Sequence, residues 1–120
     1  MSAFDPVITL RQTVDFIKEA QALIRGITFD QLVADPIRLR AFERVMELVG
    51  ESVKRVPQNF RDNHSEIPWR KIAGMRDVIS HAYEDLAYEV LWDAAVINFP
   101  KVLKDLERLI DAVHYGIPKE

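Results

Sequence analysis

Apolar residues recur every three to four positions along almost the whole of this 120-residue chain, and no stretch alternates apolar and polar residues long enough to suggest a sheet. That period belongs to helices with one buried face, so the sequence predicts an all-α fold. Leu10, Val14, Ile17 and Ile24 make a first stripe, and Gly26 stands where a C-terminal cap belongs. Thr28 and Gln31 have capping-box spacing, which opens a short second helix. Asp35 followed by Pro36 is a cap followed by a first-turn proline, and starts a third helix that runs towards Val56 and buries Phe42, Met46, Val49 and Val53. Pro57 to Pro68, with turn-prone Asn and Asp residues between the prolines, is expected to be the longest loop. A fourth helix from about Trp69 turns Ile72, Met75, Ile79 and Ala82 inward, and a fifth starts near Asp85, whose carboxylate is placed to cap it. Asn98 and Pro100 are expected to interrupt the pattern before a last helix that buries Leu103, Leu106, Ile110 and Val113 and stops at Gly116 and Pro118. Short connections between such helices favour antiparallel neighbours, hence an up-and-down bundle.

The length suits one domain spanning residues 1–120, and a hydrophobic fraction of 48% is enough for a single core. There is no cysteine, which excludes thiolate catalysis, disulfides and Cys-based zinc sites. Residues 1–6 have neither the basic start nor the apolar run of a secretory signal, and no segment approaches the roughly 20 apolar residues of a membrane span. A cytoplasmic protein without a membrane partner is expected. The net charge of −3 argues against binding nucleic acid through a uniformly basic surface. A local patch remains open, because Lys54, Arg55, Arg61, Arg70, Lys71 and Arg76 are close in sequence.

Several chemistries lack their residues. Four scattered glycines make no phosphate loop, and no strand-turn-helix elbow supports a nucleophilic serine. His64, His81 and His114 are far apart and form no metal-binding pair, so neither a metal nor a cofactor is expected. His64 and His114 read as solvent-facing, Trp69 and Trp92 as core or interface anchors, and Glu51 as structural.

The informative stretch runs from Gly74 to Glu84, preceded by Ile67-Pro-Trp-Arg-Lys-Ile72. Arg76, His81 and Tyr83 form an Arg-x4-His-x-Tyr pattern, flanked by Glu66-Ile-Pro-Trp69 and accompanied by Val49-Gly-Glu51 on the third helix. In these residues, and over about positions 10 to 113, the chain resembles the HepT toxins of the HEPN ribonuclease superfamily, the toxin halves of HepT/MntA type VII toxin-antitoxin systems. The resemblance implies a homodimeric HEPN helical bundle that cleaves RNA without a metal. In it the ribose 2′-OH attacks the adjacent phosphate, His81 serves as general acid or base, and Arg76 stabilises the phosphoryl charge. It also implies that a cognate MntA-type nucleotidyltransferase antitoxin silences the toxin by AMPylation of Tyr83, in assemblies that can exceed a dimer. A non-catalytic HEPN module that binds a nucleotide or a partner is the alternative, and the intact Arg-x4-His pair speaks against it.

The family often has Asn directly after the arginine, where this chain has Asp77. On a regular helix Asp77 and His81 stack at i, i+4, so the carboxylate is expected to raise the histidine pKa and support the site. Arg76 and His81, five residues apart, diverge by about 140° on the same wheel. Unless the helix ends between them, one protomer therefore presents them poorly to a single phosphate, whereas two copies about a two-fold axis would bring both pairs into one cleft.

Overall fold

The computed structural model describes residues 4–80 and 85–115, and these are helical almost throughout, with no strand among them. The first helix, α1 (Pro6–Ile24), is nucleated by Asp5, whose carboxylate accepts the Val7 and Ile8 amides at 3.0 and 3.2 Å. It ends where Gly26 takes a φ of +76°, the left-handed value that glycine adopts without a Cβ penalty. The capping box of α2 (Phe29–Val33) is complete in both directions, Gln31 N to Thr28 Oγ1 at 3.1 Å and Thr28 N to Gln31 Oε1 at 2.8 Å. Asp35 then caps α3 (Pro36–Lys54) through the Arg38 amide at 3.1 Å.

Helices α1 and α3 lie against each other as the spine of the protein. Leu10 and Ile17 from one, and Phe42, Met46, Val49 and Val53 from the other, are completely buried. One polar contact crosses this seam: the Thr13 and Ser52 hydroxyls, both fully buried, are 2.7 Å apart. One hydroxyl donates across the seam, and the acceptor sends its own hydrogen to a helix carbonyl, Val49 O at 2.8 Å or Thr9 O at 3.1 Å. Both groups are thereby satisfied, as buried hydroxyls must be.

The segment expected to be a loop contains a short helix, α4 (Gln58–Asn63). Arg61 explains its place. Its guanidinium donates to the Val56 carbonyl, just past α3, at 2.9 Å and to the Val53 carbonyl at 2.8 Å, where it joins the Val56 amide at 3.0 Å in closing the C-terminal end of α3. His64, expected to face solvent, is instead half-buried, with its ring centroid 4.5 Å from that of Phe60. Phe60 also meets Phe4 and Trp69 edge-on, so an aromatic cluster holds α4 onto the bundle. His114 is exposed, as expected.

The fourth predicted helix is divided at Gly74 into α5 (Trp69–Ala73) and α6 (Met75–Ser80). After residues 81–84 comes α7 (Asp85–Asp93), followed by a π turn over Ala94–Asn98 and then α8 (Phe99–Tyr115). The expected break at Asn98 and Pro100 does not occur. Phe99 N–H bonds back to Ala94 O across five residues, and this widened turn sits just before the proline that can neither donate an N–H nor tolerate a regular upstream carbonyl. Leu91, Ala95, Phe99, Leu106 and Leu109 from this stretch complete the core. The Trp92 ring packs edge-on against Phe29, which ties α7 to α2.

Candidate functional site

Arg76 and Asp77 occupy the first turn of α6, and both are exposed, while their neighbour Met75 is buried and anchors the turn. The approach to this turn is governed by Gly50 of α3. A methyl carbon at Gly50 would lie 3.2 Å from the Arg76 amide nitrogen and 3.3 Å from the carbonyl oxygens of Ile72 and Ala73. Only a residue with no side chain lets the backbone of the α5–α6 junction come this close. At the junction the Gly74 carbonyl accepts both the Asp77 and Val78 amides, at 3.0 and 3.1 Å, a tightened turn that resets the helix just before Arg76. Arg76 is thus held by its backbone, and its side chain is delivered to solvent.

His81 and Tyr83, with Ala82, lie outside the described residues, so the expected stacking of His81 on Asp77 is not part of the geometry above. Glu51, next to Gly50 on α3, is half-buried. Among the described residues no group of three or more metal-ligating side chains gathers, and no helix is long and apolar enough to cross a membrane.

Upstream of Arg76, an open groove of about 720 Å³ runs between α4 and α5. Trp69 forms part of its wall; the residue is 5% exposed, and its indole N–H donates to the His64 carbonyl at 2.9 Å. Of the basic residues grouped in the sequence, Arg61 is committed to capping α3, whereas Arg70 and Lys71 stand exposed at the groove.

Gly50 was visible in the sequence only as part of the Val49-Gly-Glu51 string on which the family resemblance partly rests. Its signal is energetic: a glycine among good helix formers weakens the helix by about 1 kcal/mol relative to alanine, which a close backbone approach justifies.

The family model described as ribonuclease HepT-like matches residues 13–112, which contain most of α1, all of α3 and the entire Arg76 to Tyr83 segment. The chain belongs to the HepT-like ribonuclease family. It is therefore an enzyme of the ribonuclease type. Similar proteins include the "Probable ribonuclease HepT" of Thermococcus cleftensis, 33% identical over 83% of this chain and 91% of its own length. A protein of Caldanaerobacter subterraneus subsp. tengcongensis provisionally named an RNase is 39% identical over 72% of this chain and 78% of its own. Another so named, from Methanocaldococcus jannaschii, is 29% identical over 89% and 83%. No solved structure gives a significant match. HepT-like membership agrees with the all-helical bundle and with the resemblance read from the motif.

Proposed function

We propose that the chain is the toxin of a toxin-antitoxin pair, a metal-independent endoribonuclease whose site is built by two protomers from Arg76 and His81. The observation that carries this reading is the presentation of Arg76. A HepT-like chain uses a buried Met75 and a side-chain-free Gly50 to set an exposed arginine five residues ahead of a histidine.

In the proposed reaction a His81 imidazole takes the proton of a ribose 2′-OH, and that oxygen attacks the adjacent phosphorus. The bond from phosphorus to the 5′-oxygen breaks, and an imidazolium, from the second copy of His81, returns a proton to the departing oxygen. The products are a 2′,3′-cyclic phosphate and a free 5′-hydroxyl. The Arg76 guanidinium, a planar fork of donors, stabilises the charge that builds on the non-bridging oxygens. Asp77 supports the histidine through its charge. The wheel supports the dimer: on a regular helix Arg76 and His81 would diverge by about 140°, and two copies about a two-fold axis would bring both pairs into one cleft.

Tyr83 is proposed as the AMPylation site for an MntA-type nucleotidyltransferase. Seven residues from Arg76 on a regular helix, a tyrosine carrying an AMP group adds negative charge and bulk where the substrate phosphate must lie. The protein is proposed to act in the cytoplasm, on RNA, as a single-domain homodimer.

The test is cleavage of an oligoribonucleotide by His81→Ala and Arg76→Ala. Each is expected to lose at least about 10²-fold in rate, the usual range for a general acid or base, with unchanged circular dichroism. Cleavage at the wild-type rate by both variants, or activity abolished by EDTA, refutes the assignment. A monomer in sedimentation at working concentration refutes the shared site.

A further inference from the structure

We infer that the groove between α4 and α5 is a binding track for single-stranded RNA flanking the cleaved bond, with Arg70 and Lys71 as its phosphate contacts. The inference rests on the ribonuclease reading above and adds to it a second place where substrate is held.

The argument begins with charge. The chain as a whole carries −3, yet Arg61, Arg70 and Lys71 face this groove against one carboxylate, Asp62. That carboxylate is already engaged, because the Gln58 side-chain amide donates to its Oδ1 at 2.8 Å. Arg61 commits its Nε and Nη2 to the Val56 and Val53 carbonyls, which fixes the guanidinium there while its charge contributes to the groove. Arg70 and Lys71 make no ion pair with any described carboxylate. Two exposed cations without an ion pair among the described residues, at the mouth of a cleft, are the pattern expected of phosphate contacts.

Shape and position agree. Ile67 and Trp69 supply an apolar wall, exposed Pro68 offers a flat edge, and the Arg70 guanidinium can stack on a base or grip a phosphate. The volume lies within the range of about 300–1,000 Å³ of clefts that take small ligands, so a nucleotide fits. Arg70 and Arg76 are six residues apart across the α5–α6 junction, so even a fully extended chain would separate their Cα atoms by no more than about 21 Å, and two short helices bring them closer. A strand lying in the groove therefore reaches Arg76 within a few nucleotides. An acidic protein partner would also answer to the charge, but an open cleft with an apolar wall and a stackable guanidinium is the better match for separated bases and phosphates.

The experiment compares the full-length wild type with the double variant Arg70→Ala/Lys71→Ala. It measures binding of a 2′-O-methyl decanucleotide, which cannot be cleaved, as a function of salt, and kcat/KM for a dinucleotide and for a decanucleotide. Loss of two phosphate contacts should flatten the slope of log K against log salt by about 1.4, at roughly 0.7 per contact on a single strand. The ratio of kcat/KM for the long substrate over the short one should fall at least about tenfold. If the wild type cleaves RNA and the variant keeps both the slope and the ratio, the track is refuted while the ribonuclease reading stands. The same holds if the variant loses only its grip on a protein antitoxin, which would make the groove a protein interface. If the wild type neither binds nor cleaves RNA, the ribonuclease reading itself fails and takes the track with it.

Discussion

Replacing Gly50 by alanine tests whether the close approach of α3 to the α5–α6 junction is what positions Arg76. The new methyl would stand 3.2 Å from the Arg76 amide nitrogen and 3.3 Å from the Ile72 and Ala73 carbonyl oxygens. Relaxed contacts of this kind lie at about 3.5–4.0 Å, so the junction must retreat by several tenths of an ångström. All three obstacles are backbone atoms, and no flexible side chain can yield instead. Two stability effects then oppose each other. Alanine strengthens the α3 helix by about 1 kcal/mol, and crowding a packed seam removes about 1–3 kcal/mol. The net change should be between nothing and a loss of about 2 kcal/mol, measured by urea denaturation. Activity should suffer more than stability. A misplacement of about 1 Å can lower a catalysed rate by about 10²-fold, so half that shift at Arg76 should lower kcat about tenfold.

Gly26→Ala is the matched control, because nothing lies within 4 Å of the added methyl and its only penalty is a φ of +76°. It should destabilise by about 1 kcal/mol and leave the rate unaltered. A Gly50→Ala protein that is more stable by about 1 kcal/mol and cleaves at the full rate would refute the reasoning, since it would show that the junction has room for a methyl group.

Other changes probe separate parts of the structure. Thr13→Val should cost about 1 kcal/mol in denaturant titrations, a single net hydrogen bond, because Ser52 keeps the Val49 carbonyl as its acceptor. A double-mutant cycle with Ser52→Ala should show coupling of similar size, and additive losses would argue against the contact. Arg61→Ala should lower stability by about 1–3 kcal/mol through the loss of two charge-assisted hydrogen bonds, to Val56 O and to Val53 O, which keeps the Val56 amide, and Arg61→Lys, which cannot reach both in one plane, should recover only part. Tyr83→Phe should keep ribonuclease activity and gain no AMP mass when incubated with ATP, magnesium and the cognate nucleotidyltransferase. A variant that is still modified would place the acceptor elsewhere, and one that is inactive would put the tyrosine in the chemistry.

The helical frame was legible because its causes are local. The stripe Phe42, Met46, Val49 and Val53 was readable as one face and is entirely buried, and the caps at Thr28 and Asp35 bond as their spacing demands. Interactions within one helical turn depend on residues a few positions apart, and these the sequence displays directly. The motif at Arg76 was legible for another reason, the match of several residues at fixed spacing to one family, which the comparisons bear out at the level of the family.

Other features arose from contacts between residues distant along the chain. Pro57 to Pro68 reads as a turn-rich connection, and it became partly helical because Phe60 found Phe4 and Trp69, and Arg61 found the open end of α3. Proline at position 100 reads as a break, and the chain passes it because a π turn widens the helix where the core holds Ala95 and Phe99 on either side. His64 reads as polar surface, and an aromatic neighbour half-buries it. The sequence by itself determined where the long helices α1 and α3 begin and which face of each turns inward, since periodicity and caps act over a single turn. Only the tertiary structure decided that Gly50 lies against the Arg76 backbone and that Arg70 and Lys71 stand exposed beside a groove without an ion pair to a described carboxylate, because both depend on how close two helices approach. That distance is set by the side chains packed between them, and it has no trace in the spacing along the chain.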